Sequence, residues 1–140
     1  MTYEGQAAIR LEAEARRAGR RGFADPLPYA LVERDGLLLV DWAPLFRWLC
    51  EDKIDAGRAD IAWAFHDAVA RAGADLSRHA ADKTDVRDIV LSGGVFMNRL
   101  LVELIHPRLT ALGFTVRTHA LVPTNDGGIA LGQVLCAGSA

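Results

Sequence analysis

Cysteine is scarce in this chain of 140 residues: Cys50 and Cys136 stand far apart, and neither lies in a CxxC or Cys/His spacing. That excludes a disulfide framework and a sequence-encoded zinc site, and makes a reducing cytoplasm the expected compartment. No stretch approaches 18 uninterrupted apolar residues, and no basic segment leads into an apolar run at the start. Neither a membrane span nor a secretory leader is therefore expected. Charge of one sign is also lacking. A formal net charge of −2 gives no electrostatic reason to expect nucleic acid or an anionic membrane as a partner. GxGxxG, the P-loop pattern and HExxH are all missing. What is present is ordinary globular composition, 51% hydrophobic and 24% charged, at the length of one domain or a piece of one. Function has to be read from local motifs.

Residues 5–18 carry Ala8, Leu11, Ala15 and Ala18 at helical spacing with Arg10, Glu14, Arg16 and Arg17 between them, which predicts an amphipathic helix stopped by Gly19 and Gly22. Asp25-Pro26-Leu27-Pro28 enforces an extended link. Two apolar runs flank Asp35-Gly36, a pair suited to a type I′ turn, so residues 29–42 are expected to form a hairpin. Pro44 suits the first turn of a short helix that ends before Gly57. A long helix is predicted from Arg58 to about Ala80 on the period of Ile61, Phe65, Ala68, Val69, Ala72 and Leu76, with Gly73 weakening its second half. Ile89-Val90-Leu91 reads as a buried strand ending at Ser92-Gly93-Gly94. A helix over 98–112, a strand over 114–118 and an apolar helix over 129–136 complete a β-loop-α-β-loop-α pattern, the signature of a parallel α/β arrangement. No internal repeat is visible.

Two loops stand where open α/β sheets bind ligands, at the carboxyl ends of strands. In Ser92-Gly93-Gly94-Val95-Phe96-Met97-Asn98, glycine lets the backbone approach a ligand, and the free N–H groups of the following helix favour a phosphate. A tight strand-to-helix turn without a ligand explains the same residues. In Pro123-Thr124-Asn125-Asp126-Gly127-Gly128, Asp126 can meet a hard cation through its carboxylate, though Asn or Asp before Gly-Gly is equally a turn and helix cap. Both loops are expected on one edge of the sheet. His66, His79, His106 and His119 show no metal-ligand spacing, and His66 beside Phe65 reads as a packing or hydrogen-bonding residue. Cys50 and Cys136 are expected to be buried thiols, and Trp42, Trp48 and Trp63 core anchors.

Taken together, Thr2-Tyr-Glu-Gly-Gln-Ala-Ala, Leu38-Leu-Val-Asp-Trp, Phe65-His66, Leu91-Ser-Gly-Gly-Val-Phe-Met-Asn-Arg-Leu-Leu and Val122-Pro-Thr-Asn-Asp-Gly-Gly-Ile-Ala-Leu-Gly-Gln resemble, in order, the carboxyl-terminal part of the HypF carbamoyltransferases of NiFe-hydrogenase maturation. The resemblance covers essentially residues 1–140. It implies an α/β fold, part of a lobe like those of the sugar kinase, Hsp70 and actin group (ribonuclease H-like), with a β-hairpin and several helices. On that reading residues 1–28 are helix and linker, 29–42 hairpin, 43–82 helices and 88–140 the nucleotide-facing part. The resemblance further implies that Gly93, Gly94, Asn98 and Glu4 serve the adenine nucleotide, ATP or carbamoyl-adenylate, and that Asp126 serves Mg2+ or another divalent cation. In that family carbamoyl phosphate and ATP give carbamoyl-adenylate, and the carbamoyl group passes to the terminal cysteine of a HypE-like partner.

The departure from the family is one of extent. Acylphosphatase-like, zinc-finger and YrdC-like domains, the first strands of the lobe and its metal-binding histidine motif have no counterpart in these residues. This chain alone is therefore expected to be inactive, with further HypF domains in cis or on another chain, or self-association, covering its unpaired sheet edge. The alternative is a noncatalytic remnant serving as a nucleotide-binding or interaction module.

Overall fold

A computed structural model describes residues 2–18, 23, 25–51 and 56–138. The expected helix stop at Gly19 and Gly22 lies outside the described residues. The elements run α1 (Gln6–Ala15), β1 (Ala30–Arg34), β2 (Leu37–Asp41), α2 (Ala43–Leu49), α3 (Arg58–Thr84), β3 (Asp88–Leu91), α4 (Arg99–Ala111), β4 (Thr115–Thr118) and α5 (Ile129–Gly138), with 3-10 turns at Gly94–Met97 and Asp126–Gly128.

The hairpin closes as its turn residues require. Asp35 and Gly36 have φ of 53° and 76°, the two positive angles of a type I′ turn, and the antiparallel register sets Arg34 opposite Leu37 and Ala30 opposite Asp41. A separate two-stranded sheet pairs β3 with β4 in parallel, Ile89 opposite Val116 and Leu91 opposite Thr118, with α4 as the crossover. Alternation then sorts the faces of β3. Ile89 and Leu91 turn to the core, while Val90 is exposed.

The core is built around α3. Its buried side chains are Ala62, Ala64, Ala68, Ala70, Ala72, Ala74 and Ala81, with His66 among them. Side chains this short let neighbouring helices come close, so the large residues of the predicted period, Ile61, Phe65 and Leu76, are only half-buried. Gly73 does not interrupt the helix. A Cβ there would lie 2.8 Å from Ile105 Cδ1, so the missing side chain is what admits α4.

One cluster joins the second half of α3 to α4 and the parallel strands through Leu91, Leu101, Ile105, Leu109 and Phe114. A second joins its first half to Leu27, Leu45 and the half-buried Trp42, Trp48 and Trp63, the anchoring role expected of the tryptophans. A third sets Ala15 of α1 against Ala62 and Leu100.

Two departures from the sequence reading stand out. On α1, Ala15 is buried, whereas Ala8 and Leu11 are exposed, because α1 touches the core along a narrower stripe than the apolar spacing suggested. Cys50 and Cys136 are exposed rather than buried, since Cys50 caps the end of α2 and α5 buries none of its residues. The side chain of Asp67 binds two guanidiniums, Arg71 on its own helix and Arg108 on α4, and so fastens the helix pair.

Tyr29 is tied to α3 as well, donating from its hydroxyl to Asp75 at 2.6 Å while Arg71 lies over its ring. Burial, and then the hydrogen bond to Asp75, push the phenol up to about 12. The unfolded phenol titrates near 10, so between those pH values the unfolded chain has released a proton that the folded one still holds. Stability is therefore intact below about pH 10 and falls as the pH rises through about 12. Because the ring is only partly buried, solvent screening trims the loss to about 1 kcal/mol. Urea unfolding at pH 9 and pH 11.5 should show this alkaline loss in the wild type, with a smaller one in Tyr29→Phe.

Candidate functional site

The stretch Thr2-Tyr3-Glu4-Gly5-Gln6 is a built turn. Gln6 Oε1 accepts from the Thr2 amide at 2.9 Å, and Gln6 Nε2 donates back to Thr2 Oγ1 at 3.1 Å. Gly5 takes φ 74° ahead of α1, and Glu4 is left exposed. Glu4 precedes the helix, and Ala8 and Glu12 follow four residues apart on one side of α1.

Opposite them, the two glycine-containing loops meet. The Gly93 amide donates to the Thr124 carbonyl at 2.9 Å, and Asn125 Nδ2 lies 3.2 Å from Met97 Sδ. Gly93 has φ 95° and ψ 164°, a conformation essentially reserved for glycine. Both loops thus stand at the carboxyl ends of β3 and β4, on one edge.

Between α1 and these loops lies a cavity of about 740 Å³, lined by Glu4, Ala8, Ile9 and Glu12 on one side and by Gly94, Val95, Met97, Asn98, Asn125 and Asp126 on the other. The structure brings Glu4, Gly94, Asn98 and Asp126 together there. Gly93 is not among the lining residues and instead joins the loops behind them.

The N-terminus of α4 differs from the open anion site of the sequence reading. The Leu100 amide donates to Glu12 Oε1 at 3.0 Å and the Leu101 amide to Asn98 Oδ1 at 2.9 Å. A carboxylate from α1 therefore already sits at the positive end of the helix. Arg16 balances it at 3.3 Å. Glu12 escaped the motif reading, because its partner Leu100 lies 88 residues away in sequence. Asn125, not Asp126, performs the capping that the turn needed, accepting from the Gly127 amide at 3.2 Å. Asp126 stays exposed at the cavity.

Its surroundings suit a hard cation. Carboxylates of Glu4, Glu12 and Asp126 and the Asn125 amide supply oxygen, and no Lys or Arg is among the described lining residues. No group of three or more His, Cys, Asp or Glu positioned for a metal exists among the described residues. No described helix is long and apolar enough to cross a membrane.

An α/β unit of parallel strands, with a glycine loop and an acidic loop closing on one cavity, is consistent with part of a ribonuclease H-like lobe. The comparisons narrow this further. A family model described as "Carbamoyltransferase, Kae1-like Domain, second subdomain" matches residues 1–133, and the chain belongs to this family of HypF carbamoyltransferases. It is 38% identical over 131 residues to the carbamoyltransferase HypF of Rhizobium leguminosarum bv. viciae, covering 94% of this chain and 16% of that protein. To the Rhodobacter capsulatus HypF it is 34% identical, covering 97% and 16%. A crystal structure of full-length HypF in the phosphate- and nucleotide-bound form matches with a TM-score of 0.82 and 33% identity, covering 98% of this chain and 18% of that one. The chain thus spans about a sixth of the length of these relatives.

Proposed function

We propose that this chain is the nucleotide- and metal-facing part of a HypF-type carbamoyltransferase, which takes carbamoyl phosphate and ATP through carbamoyl-adenylate to the terminal cysteine of a HypE-like partner in the cytoplasm. The observation that carries this reading is the convergence of Glu4, Gly94, Asn98 and Asp126 on one cavity. A relative of the same fold was crystallised with phosphate and nucleotide bound, which supports a nucleotide as the ligand here.

The lining dictates how such a ligand enters. With three lining carboxylates, no described Lys or Arg among the lining residues and Arg16 already paired with Glu12, a bare triphosphate would be repelled, so the nucleotide binds as its magnesium complex. A bound Mg2+ would neutralise phosphate charge from an Asp126 oxygen, while Gly94 admits the ligand close to the backbone and Ile9, Val95 and Met97 offer it apolar surface. Glu4 is placed to accept from a ligand hydroxyl or amine.

Calorimetric titration with ATP tests the reading. The wild type should bind ATP only with MgCl2 present, and Asp126→Ala should weaken that binding about tenfold or more without loss of fold, since an exposed loop carboxylate contributes little to packing. Unchanged magnesium dependence in the variant would return Asp126 to the role of a turn residue.

All the described residues of α5 are exposed, including Ile129, Leu131, Val134 and Leu135. Among the described residues the parallel sheet has two strands. These surfaces favour cover by further HypF domains, in cis or on another chain, with self-association as the substitute. Light scattering of the chain alone should show oligomers, and a carbamoyl-transfer assay without added domains should show no turnover. A clean monomer, or turnover, would refute the corresponding half.

A further inference from the structure

The buried side chains of α3 are seven alanines and one other residue, His66, which is 4% exposed. Packing alone asks for no imidazole there. Its two nitrogens are both engaged: Nδ1 lies 2.8 Å from the Ala62 carbonyl oxygen, and Nε2 lies 2.8 Å from Asn98 Nδ2. A carbonyl can only accept, so Nδ1 carries the hydrogen and Nε2 presents its lone pair to the Asn98 amide. At the other end the Leu101 amide can only donate, so it must face Asn98 Oδ1, at 2.9 Å. The chain of bonds therefore has one direction, from the Leu101 N–H through the Asn98 carboxamide and the neutral imidazole to the Ala62 carbonyl. Reversing Asn98 would break it at both ends.

From this geometry we infer that His66 is a positioning residue for the nucleotide site. It fixes which way the Asn98 carboxamide faces, so that the second Nδ2 hydrogen is the donor Asn98 keeps for a ligand in the cavity that it lines. Holding that donor in place before the ligand arrives lowers the ordering cost of binding. The inference rests on the nucleotide reading above, but the orientation of Asn98 can be measured without any ligand.

Two variants separate positioning from packing. In His66→Gln the side-chain oxygen reaches the place of Nε2 and still accepts from Asn98. In His66→Asn the shorter amide reaches only the place of Nδ1, keeping a bond to Ala62 and losing Asn98. With MgCl2 present, His66→Asn should weaken ATP binding about tenfold, the equivalent of one hydrogen bond, while His66→Gln stays within about threefold of the wild type.

Equal ATP binding by His66→Asn and the wild type, or equal losses in both variants, would overturn the inference. Nitrogen-15 NMR of the ligand-free full chain supplies the independent arm. It should show the neutral Nδ1–H tautomer of His66, and Asn98 side-chain amide resonances that shift in His66→Asn much more than in His66→Gln. An Nε2–H tautomer would overturn the positioning role. If the wild type binds no ATP, the nucleotide reading fails while the NMR arm still decides the orientation of Asn98.

Discussion

Leu109→Ala should lower the free energy of unfolding by about 3 kcal/mol, with a range of about 2–5 for a buried leucine whose cavity cannot collapse. Leu109 has no exposed surface and sits where α3, α4 and the parallel sheet meet, in one cluster with Ala70, Leu91, Ile105 and Phe114. Its backbone is committed as well, since the Leu109 carbonyl accepts from the amides of Leu112 and Phe114 as the chain turns from α4 into β4. Neighbours held in this way have little freedom to move in after the side chain is cut back. A domain of this size has roughly 5–15 kcal/mol in total, so the loss is a substantial share. Leu112, three residues on and 37% exposed, provides the contrast: Leu112→Ala should cost about 1 kcal/mol or less. Urea unfolding with an unchanged slope checks both, and equal losses would mean that the cluster is not centred on Leu109.

Period and punctuation made most of the elements legible. The hairpin followed from Asp35-Gly36, the parallel pair from Ile89-Val90-Leu91 and the strand after Gly113, and α3 from its long helical period. Periodicity did not reveal which stripe of a helix would carry the packing. On α3 the buried residues are mostly alanines on two sides of the helix, and hydrophobic spacing gives alanine less weight than the neighbouring Ile61 and Phe65. The thiols show the same limit, because apolar neighbours predict burial only if another element arrives to cover them, and none of the described residues covers α5.

At the site, glycine and acid motifs located both loops, since each motif is local in sequence, and the family resemblance pointed to Glu4. Glu12 and His66 act across 88 and 32 residues, on Leu100 and Asn98 respectively. Such pairings depend on how α1 and α3 lie against α4, which no local spacing encodes. The consequence is chemical. The α4 N-terminus, which looked like a ready phosphate site, is already supplied with a carboxylate, so on the proposed reading the charge requirement passes to a cation at Asp126.

The two adjacent glycines should fail in opposite ways when given side chains. At Gly93, φ 95° with ψ 164° is closed to other residues, so Gly93→Ala should cost about 1–3 kcal/mol of stability through backbone strain. That strain also disturbs the 2.9 Å bond from the Gly93 amide to the Thr124 carbonyl, which holds the two loops together. Gly94 is not among the positive-φ residues, and a Cβ built on it would meet nothing within 4 Å. Its side of the chain lines the cavity. Gly94→Leu should therefore leave stability within about 0.5 kcal/mol of the wild type, yet weaken magnesium-ATP binding about tenfold or more by filling the space where the ligand approaches the backbone. Thermal unfolding and calorimetric titration on the same two variants read the contrast directly. If Gly94→Leu binds ATP as the wild type does, the nucleotide does not lie against this loop, and the cavity beside α1 serves some other ligand.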